Sequence, residues 1–294
     1  MWNELFSSKP VIADGGWGTR FTKMGLLLGI PPEIWNLEKP DCVFSVADSY
    51  VKAGSQIILT NTFGGTSYKL KKSGAHYKAS ILNKLGVEIS KKAAGKRSLV
   101  FADIGPIGDM LEPYGDLKPE FVRDEFLYQV ESLIDAKPDG FVIETMISLE
   151  EALLALKAVR YFTLDLPVVV SFTFQKVADG FATMMGVRPE NVIKILEDEG
   201  ASAVGANCGS GIREIVEVTK LFSKVSSVPI WVKPNAGLPK LVNGNLVYEE
   251  TPDMMASFLP DLVKAGASIV GGCCGTDSEH IKAFIKVRER LLNE

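Results

Sequence analysis

Phe141-Val142-Ile143-Glu144, the helix-period stretch Leu149 to Arg160, and Pro167-Val168-Val169-Val170-Ser171-Phe172 follow one another and decide how the chain folds. Both flanking runs are continuously apolar instead of alternating, which is the pattern of strands buried on two faces of a parallel sheet. The same alternation extends in both directions. Upstream lie Val11-Ile12-Ala13-Asp14, Gln56-Ile57-Ile58-Leu59-Thr60-Asn61 and Ser98-Leu99-Val100-Phe101-Ala102-Asp103. Downstream lie Ala203-Val204-Gly205-Ala206-Asn207, Pro229-Ile230-Trp231-Val232-Lys233 and Ser268-Ile269-Val270-Gly271-Gly272, with helical pattern such as Val192 to Glu199 between them. Eight strand–helix units in 294 residues predict an α/β fold of the (β/α)8 TIM-barrel type, as a single domain over residues 1–294. A doubly wound nucleotide fold fits less well, because Asp14-Gly15-Gly16-Trp17-Gly18-Thr19 lacks the G-x-G-x-x-G spacing. The longest irregular stretches, Gly25 to Pro40, Pro106 to Lys118 and Pro234 to Thr251, follow the first, third and seventh strands and are expected to cover the active face.

Composition narrows the partners. Thirty-two Lys and Arg against 36 Asp and Glu give a net charge of −4 with the signs interleaved, so neither nucleic acid nor an anionic membrane is expected to bind. No apolar run is long enough to span a bilayer, and Met1-Trp2-Asn3-Glu4 does not begin like a secretion signal, so a cytoplasmic location is expected. Four Cys in a chain this long do not make a disulfide framework.

In a barrel, residues at the C-terminal ends of strands converge on one mouth. Those ends read Asp14, Asn61, Asp103, Glu144, Asn207-Cys208, Lys233-Pro234-Asn235 and Cys273-Cys274. Three thiols therefore share the mouth, set among glycines that let backbone approach a compact centre. Cys42, on a helical pattern with Val43 and Val46, reads instead as packing. Three thiolates and one open position describe a catalytic Zn²⁺ site, and neither His76 nor His280 is placed to close it as a fourth ligand. His280 falls in the first turn of the last helix, behind an expected Thr276-x-x-Glu279 capping box. A vicinal Cys273–Cys274 disulfide would be strained and out of place in a reducing compartment. Zinc held by three thiolates is a poor generator of hydroxide but suits a softer incoming thiol, which it would keep electron-rich enough to attack an alkyl group. Asp14 and Glu144 beside such a site could serve as acid and base or hold a cationic group of the substrate.

These motifs, together with Asn61-Thr62-Phe63, Asp103-x-Gly105-Pro106, Glu144-Thr145, Pro234-Asn235-Ala236-Gly237-Leu238-Pro239 and Gly271-Gly272-Cys273-Cys274-Gly275-Thr276, resemble the homocysteine S-methyltransferase family along essentially the whole chain. The nearest resemblance is to the homocysteine-binding barrel of cobalamin-dependent methionine synthase. Where the betaine-using branch carries Tyr, this chain has Gly64 and Thr145, which argues against betaine. The resemblance implies that Cys208, Cys273 and Cys274 ligate Zn²⁺ and that homocysteine sulfur takes the fourth position, with Asn235 bordering it. It further implies that Glu144 and Asp14 hold the substrate ammonium and that amides of the Gly15-Gly16 turn meet its carboxylate. Asn207 is expected at the substrate site or just behind it, and Asp103 behind it as a loop-fixing residue. The donor expected from the resemblance is a methylated corrinoid on a separate protein, since the sequence carries the barrel alone. S-methylmethionine, betaine or another thiol acceptor are the alternatives within this chemistry. A non-catalytic zinc or redox-sensing barrel is the alternative outside it, and the convergence of Asp14, Glu144 and Asn235 disfavours it.

Overall fold

The computed structural model describes residues 2–209, 211–242 and 245–293. Eight parallel strands form one sheet: β1 Val11–Ile12, β2 Ile57–Leu59, β3 Leu99–Ile104, β4 Gly140–Met146, β5 Val168–Phe172, β6 Ala203–Cys208, β7 Ile230–Pro234 and β8 Ile269–Val270. Their order is β1-β8-β7-β6-β5-β4-β3-β2, and a parallel bridge from Ala13 to Ile57 joins the two ends, so the sheet closes on itself. All eight predicted strands are present, and helices such as Leu149–Phe162 and Pro189–Asp198 fall where the 3.6-residue period placed them.

Side chains alternate across a strand, and closure separates the two sets into two cores. Val11, Ala13, Ile57, Leu59, Phe101, Val142, Val169, Ala203, Trp231 and Ile269 fill the barrel, while a larger cluster packs between strands and helices. Trp231 fits because Gly205 faces it: a Cβ there would lie 1.8 Å from the Trp231 carbonyl oxygen. Two or four residues farther along the same inward register come Asp103, Glu144, Ser171, Asn207 and Lys233, all buried. A polar ring thus lies on an apolar plug.

Two features differ from the sequence expectation. Short antiparallel hairpins, Gln175–Val177 with Gly180–Ala182 and Lys240–Val242 with Asn245–Val247, occupy the loops after β5 and β7. The final helix, Ser278–Asn293, is capped by Asp277, whose Oδ1 accepts from Glu279 N at 3.1 Å. Thr276 is not the cap, because its hydroxyl donates to Cys273 O at 2.7 Å and accepts from Gly16 N at 3.0 Å. Cys42 lies half-buried on helix Pro40–Ala53 against the outer core, as expected. No helix among the described residues is long and apolar enough to cross a membrane.

Candidate metal centre and substrate pocket

Cys208 is the last residue of β6, and its φ of +59° is unusual for a residue with a side chain. Thr145 on β4 shares the distortion with φ +64°. Asn207 holds the two together: its Oδ1 accepts from Thr145 N at 2.8 Å and Ser171 Oγ at 2.7 Å, and its Nδ2 donates to Thr145 Oγ1 at 2.7 Å. Backbone strain at a functional site persists only where neighbours enforce it, and Asn207 is that enforcement. This fully buried side chain has its polar atoms committed within the protein and braces β4, β5 and β6 against one another behind the sulfurs.

Cys273 and Cys274 follow β8 on a segment stitched to its neighbours. Gly272 N donates to Asp14 O, Cys273 N to Pro234 O, and Ala236 N to Cys274 O. Gly16 is required at the crossing, since a Cβ there would sit 2.5 Å from Cys273 O. The result places Cys208 Sγ 3.0 Å from Cys273 Sγ and 3.9 Å from Cys274 Sγ, with all three sulfurs within 4.8 Å of one another although 65 residues separate the first two in sequence.

Crowding governs their charge. Hydrogen bonds from Cys208 and Cys273 hold the Cys274 thiol down at about 3, with further help from the Tyr248 hydroxyl. Cys208, hydrogen-bonded to Cys273 and Cys274, is pushed well above the ordinary thiol value. One anion is what three touching thiols sustain alone, and a divalent cation is what lets all three ionise together. Sulfurs about 2.3 Å from a tetrahedral zinc would lie about 3.8 Å apart; the 3.9 Å Cys208–Cys274 separation matches this and the 3.0 Å Cys208–Cys273 separation is shorter, so the residues fit a metal ion once that pair opens slightly. His76 is exposed on the turn His76–Lys78, and His280 is engaged by Asp277 Oδ1 at 2.9 Å and Glu250 O at 3.1 Å, so neither joins the cluster.

Around the sulfurs the acids divide into two kinds. Asp14 is fully buried and accepts three hydrogen bonds: Lys233 Nζ donates to its Oδ1 at 2.7 Å, and Trp17 Nε1 and Leu59 N donate to its Oδ2 at 2.7 and 2.8 Å. These bonds stitch β1 to β2 and β7, a structural duty that the sequence reading, which placed Asp14 at the substrate ammonium, did not foresee. Burial opposes the Lys233 charge, but Asp14 and Glu144 hold its pKa above the ordinary lysine value. Glu144 is of the other kind. It lines the pocket with Oε2 buried and unpartnered, and burial pushes its carboxyl up to about 8 against the pull of Lys233. Asp103, expected to fix a loop, also lines the pocket with Oδ1 unpartnered. Burial first, then Glu144, raise its carboxyl well above the usual range. Asn235 donates to Gly209 O at 2.9 Å and keeps its Oδ1 buried without a partner, bridging the loop after β7 to the one that follows Cys208. Gly15 and Gly16 line the pocket, although the Gly16 amide is already engaged by Thr276.

The pocket holds about 550 Å³, several times the bulk of a small amino acid. Its wall also includes Trp17 and Phe63, which lie within the sequence motifs without an assigned role, and Glu33 and Lys69, which the sequence did not single out. Glu33 is signalled only by Gly64, whose missing side chain makes room for the Glu33 carboxylate, 3.0 Å from where a Cβ would sit. Lys69 Nζ donates to Pro106 O at 3.1 Å and lies 4.6 Å from the Phe63 ring centre.

With this geometry in place, the comparisons with known proteins are specific. The family model for homocysteine S-methyltransferase matches residues 11–287. Methionine synthase of Mycobacterium leprae (strain TN) is 28% identical over 296 residues, covering 95% of this chain and 24% of that protein. Methionine synthase of Mycobacterium tuberculosis (strain ATCC 25618 / H37Rv) is 27% identical with the same coverage. The chain thus spans about a quarter of the length of these curated relatives. Among solved structures, the metallated form of the homocysteine methyltransferase MmuM from Escherichia coli aligns with a TM-score of 0.79 at 21% identity, over 98% of each chain. Type I 3-dehydroquinate dehydratase from Clostridium difficile aligns at 0.53 and 10% identity, over 97% of this chain and 92% of that one. At such identities these two likenesses speak for the barrel alone.

Proposed function

The chain belongs to the homocysteine S-methyltransferase family, and from that premise we propose that it methylates the thiol of homocysteine to methionine, using zinc held by Cys208, Cys273 and Cys274. The observation that carries this reading is the convergence of three sulfurs within 4.8 Å at the barrel mouth. When bound, zinc supplies the Lewis acidity that makes a thiol lose its proton near neutral pH while the sulfur keeps its nucleophilic lone pair. No protein base is needed at the sulfur. Glu144, buried and short of a donor, takes the substrate ammonium, and the Gly15-Gly16 turn faces the carboxylate end. Lys233 neutralises Asp14, so the ring around the sulfur is not swamped by negative charge. The apolar plug beneath, with Trp231 at its centre, keeps water from reaching the nucleophile from below. The sulfur pair then forms the new S–CH₃ bond as the methyl leaves its donor.

The donor in this reading is a methylated corrinoid presented by another protein. The curated relatives named methionine synthase support it, as does the exposed apolar rim formed by Leu27 and Leu28 after β1 and by Leu238 and Leu241 after β7. Free thiols at metal-binding distance suit a reducing compartment, so we place the protein in the cytoplasm. Replacing Cys208 by Ala is expected to remove stoichiometric zinc and methyl transfer together, measured by metal analysis and methionine formation. Full activity from metal-free protein would overturn the mechanism. Assays of homocysteine against methylcobalamin, S-methylmethionine and betaine test the donor, with the corrinoid expected to serve.

A further inference from the structure

Asp103 stands in the same inward ring as Glu144, one strand away. In the β3–β4 ladder it lies opposite Val142, two residues before Glu144, so both carboxyls enter the mouth from neighbouring strands. Asp103 is 5% exposed and Glu144 7%, and Asp103 Oδ1 and Glu144 Oε2 each lack a hydrogen-bond partner. The main chain at Asp103 is fixed without its carboxyl: Asp103 N donates to Thr60 Oγ1 at 3.0 Å, and Thr62 Oγ1 donates to Asp103 O at 2.7 Å. The buried cation of the ring, Lys233, is bonded to Asp14. Two inward carboxyls with unpartnered oxygens therefore line the cavity, and such burial is unfavourable until a cationic donor arrives. An ammonium, with one charge and three N–H groups, satisfies both at once.

We propose that Asp103 is the second arm of an ammonium clamp, acting with Glu144, and that it makes this pocket select thiols bearing a primary α-ammonium. The inference rests on the reading that the substrate is an amino-acid thiol. It assigns Asp103 direct contact with substrate, in place of the loop-fixing role expected from sequence.

The test compares homocysteine with its desamino analogue, 4-mercaptobutanoate, by titration calorimetry on the zinc-loaded protein and on Asp103→Asn. Loss of one charge-assisted hydrogen bond is expected to weaken homocysteine by about 10- to 100-fold while the analogue binds as before and zinc content is unchanged. Equal weakening of both ligands, or of neither, overturns the inference. Glu144→Gln gives a second reading that does not depend on the Asp103 variant folding. A clamp with two arms leaves Glu144→Gln with at least about a tenfold preference for homocysteine, whereas a single arm leaves none. If the unaltered protein binds homocysteine and only these selectivities fail, the clamp alone is wrong. If it binds neither thiol, the proposed function falls with it.

Discussion

Replacing Lys233 by Met probes an ion pair buried inside the barrel. Lys233 Nζ lies 2.7 Å from Asp14 Oδ1, with the two side chains 2% and 0% exposed. Met fills much the same volume, so the change removes the charge and its hydrogen bond and leaves the packing around Trp231 largely in place. Asp14 would keep its bonds from Trp17 Nε1 and Leu59 N but lose its counter-ion inside the barrel. Breaking one side of such a pair costs about 3–5 kcal/mol, because the partner charge stays buried and unmatched. With an unfolding entropy of about 2.1 cal/mol/K per residue, a chain of this length should melt about 5–8 °C lower. Urea denaturation and calorimetry of the metal-free protein measure both quantities. Asp14→Asn combined with Lys233→Met removes both charges and should recover most of the loss, giving a coupling of at least about 2 kcal/mol in the double-mutant cycle. A single-variant loss below about 1 kcal/mol, or a double variant equal to the sum of the singles, would refute the view that the pair is held in a low-dielectric interior.

Glu144 predicts a pH effect of definite sign. Its pKa is raised from 4.5 to about 8 by burial, so the folded metal-free protein binds a proton there that the unfolded chain has released, and stability should fall as pH rises from about 4.5 to 8. Glu144→Gln should flatten that slope by up to about 1.4 kcal/mol per pH unit, read from denaturation curves between pH 5 and 8; an unchanged slope would count against the assignment. Gly205→Ala would force a Cβ to within 1.8 Å of the Trp231 carbonyl oxygen and should cost more than about 3 kcal/mol, measured by urea melts, because backbone cannot yield there as a side-chain tip could. Tyr248→Phe removes one of the hydrogen bonds, after those of Cys208 and Cys273, that hold the Cys274 thiol low. Iodoacetamide labelling of metal-free protein should then shift to higher pH at Cys274, and an unmoved profile would dismiss the contact.

The barrel was legible because each strand is an apolar run that needs no partner to declare itself, and the meeting of the three thiols because strand ends in this fold share one mouth. Pairing among the polar residues was not legible. Asp14 and Glu144 look alike as acids closing strands, yet one meets Lys233, Trp17 and Leu59 and the other meets a cavity. A signal for the difference exists: Lys233 closes the apolar strand Ile230–Pro234, and a lysine buried there requires an acid nearby. The inward register then sorts the rest, since Asp103 follows Phe101 by two residues and Glu144 follows Val142 by two. The hairpins escaped notice because their strands are three residues long and mostly exposed, too short for periodicity to speak. Asp179-Gly180, at the end of the first hairpin's loop, is nonetheless a turn-favouring pair in the sequence. The helix cap was misplaced by one residue because Thr276 had a more distant commitment, to Gly16, that no local pattern reveals.

The plug of Trp231, Phe101 and their neighbours makes the barrel a well with one opening. The carboxyls of Asp103 and Glu144 stand two residues beyond the plug on their strands, and the sulfurs, Trp17, Phe63 and Lys69 line the same cavity above it. Whatever binds deep must enter before whatever binds above it, and must leave after it. In the proposed reaction, turnover should accordingly follow a compulsory order, with the thiol first on and the thioether last off, and the spent donor released in between. Initial-rate studies would show the thioether as a competitive inhibitor towards the thiol and the spent donor as a mixed one. A single closed end, set by one glycine opposite one tryptophan, thereby dictates the sequence of events in time.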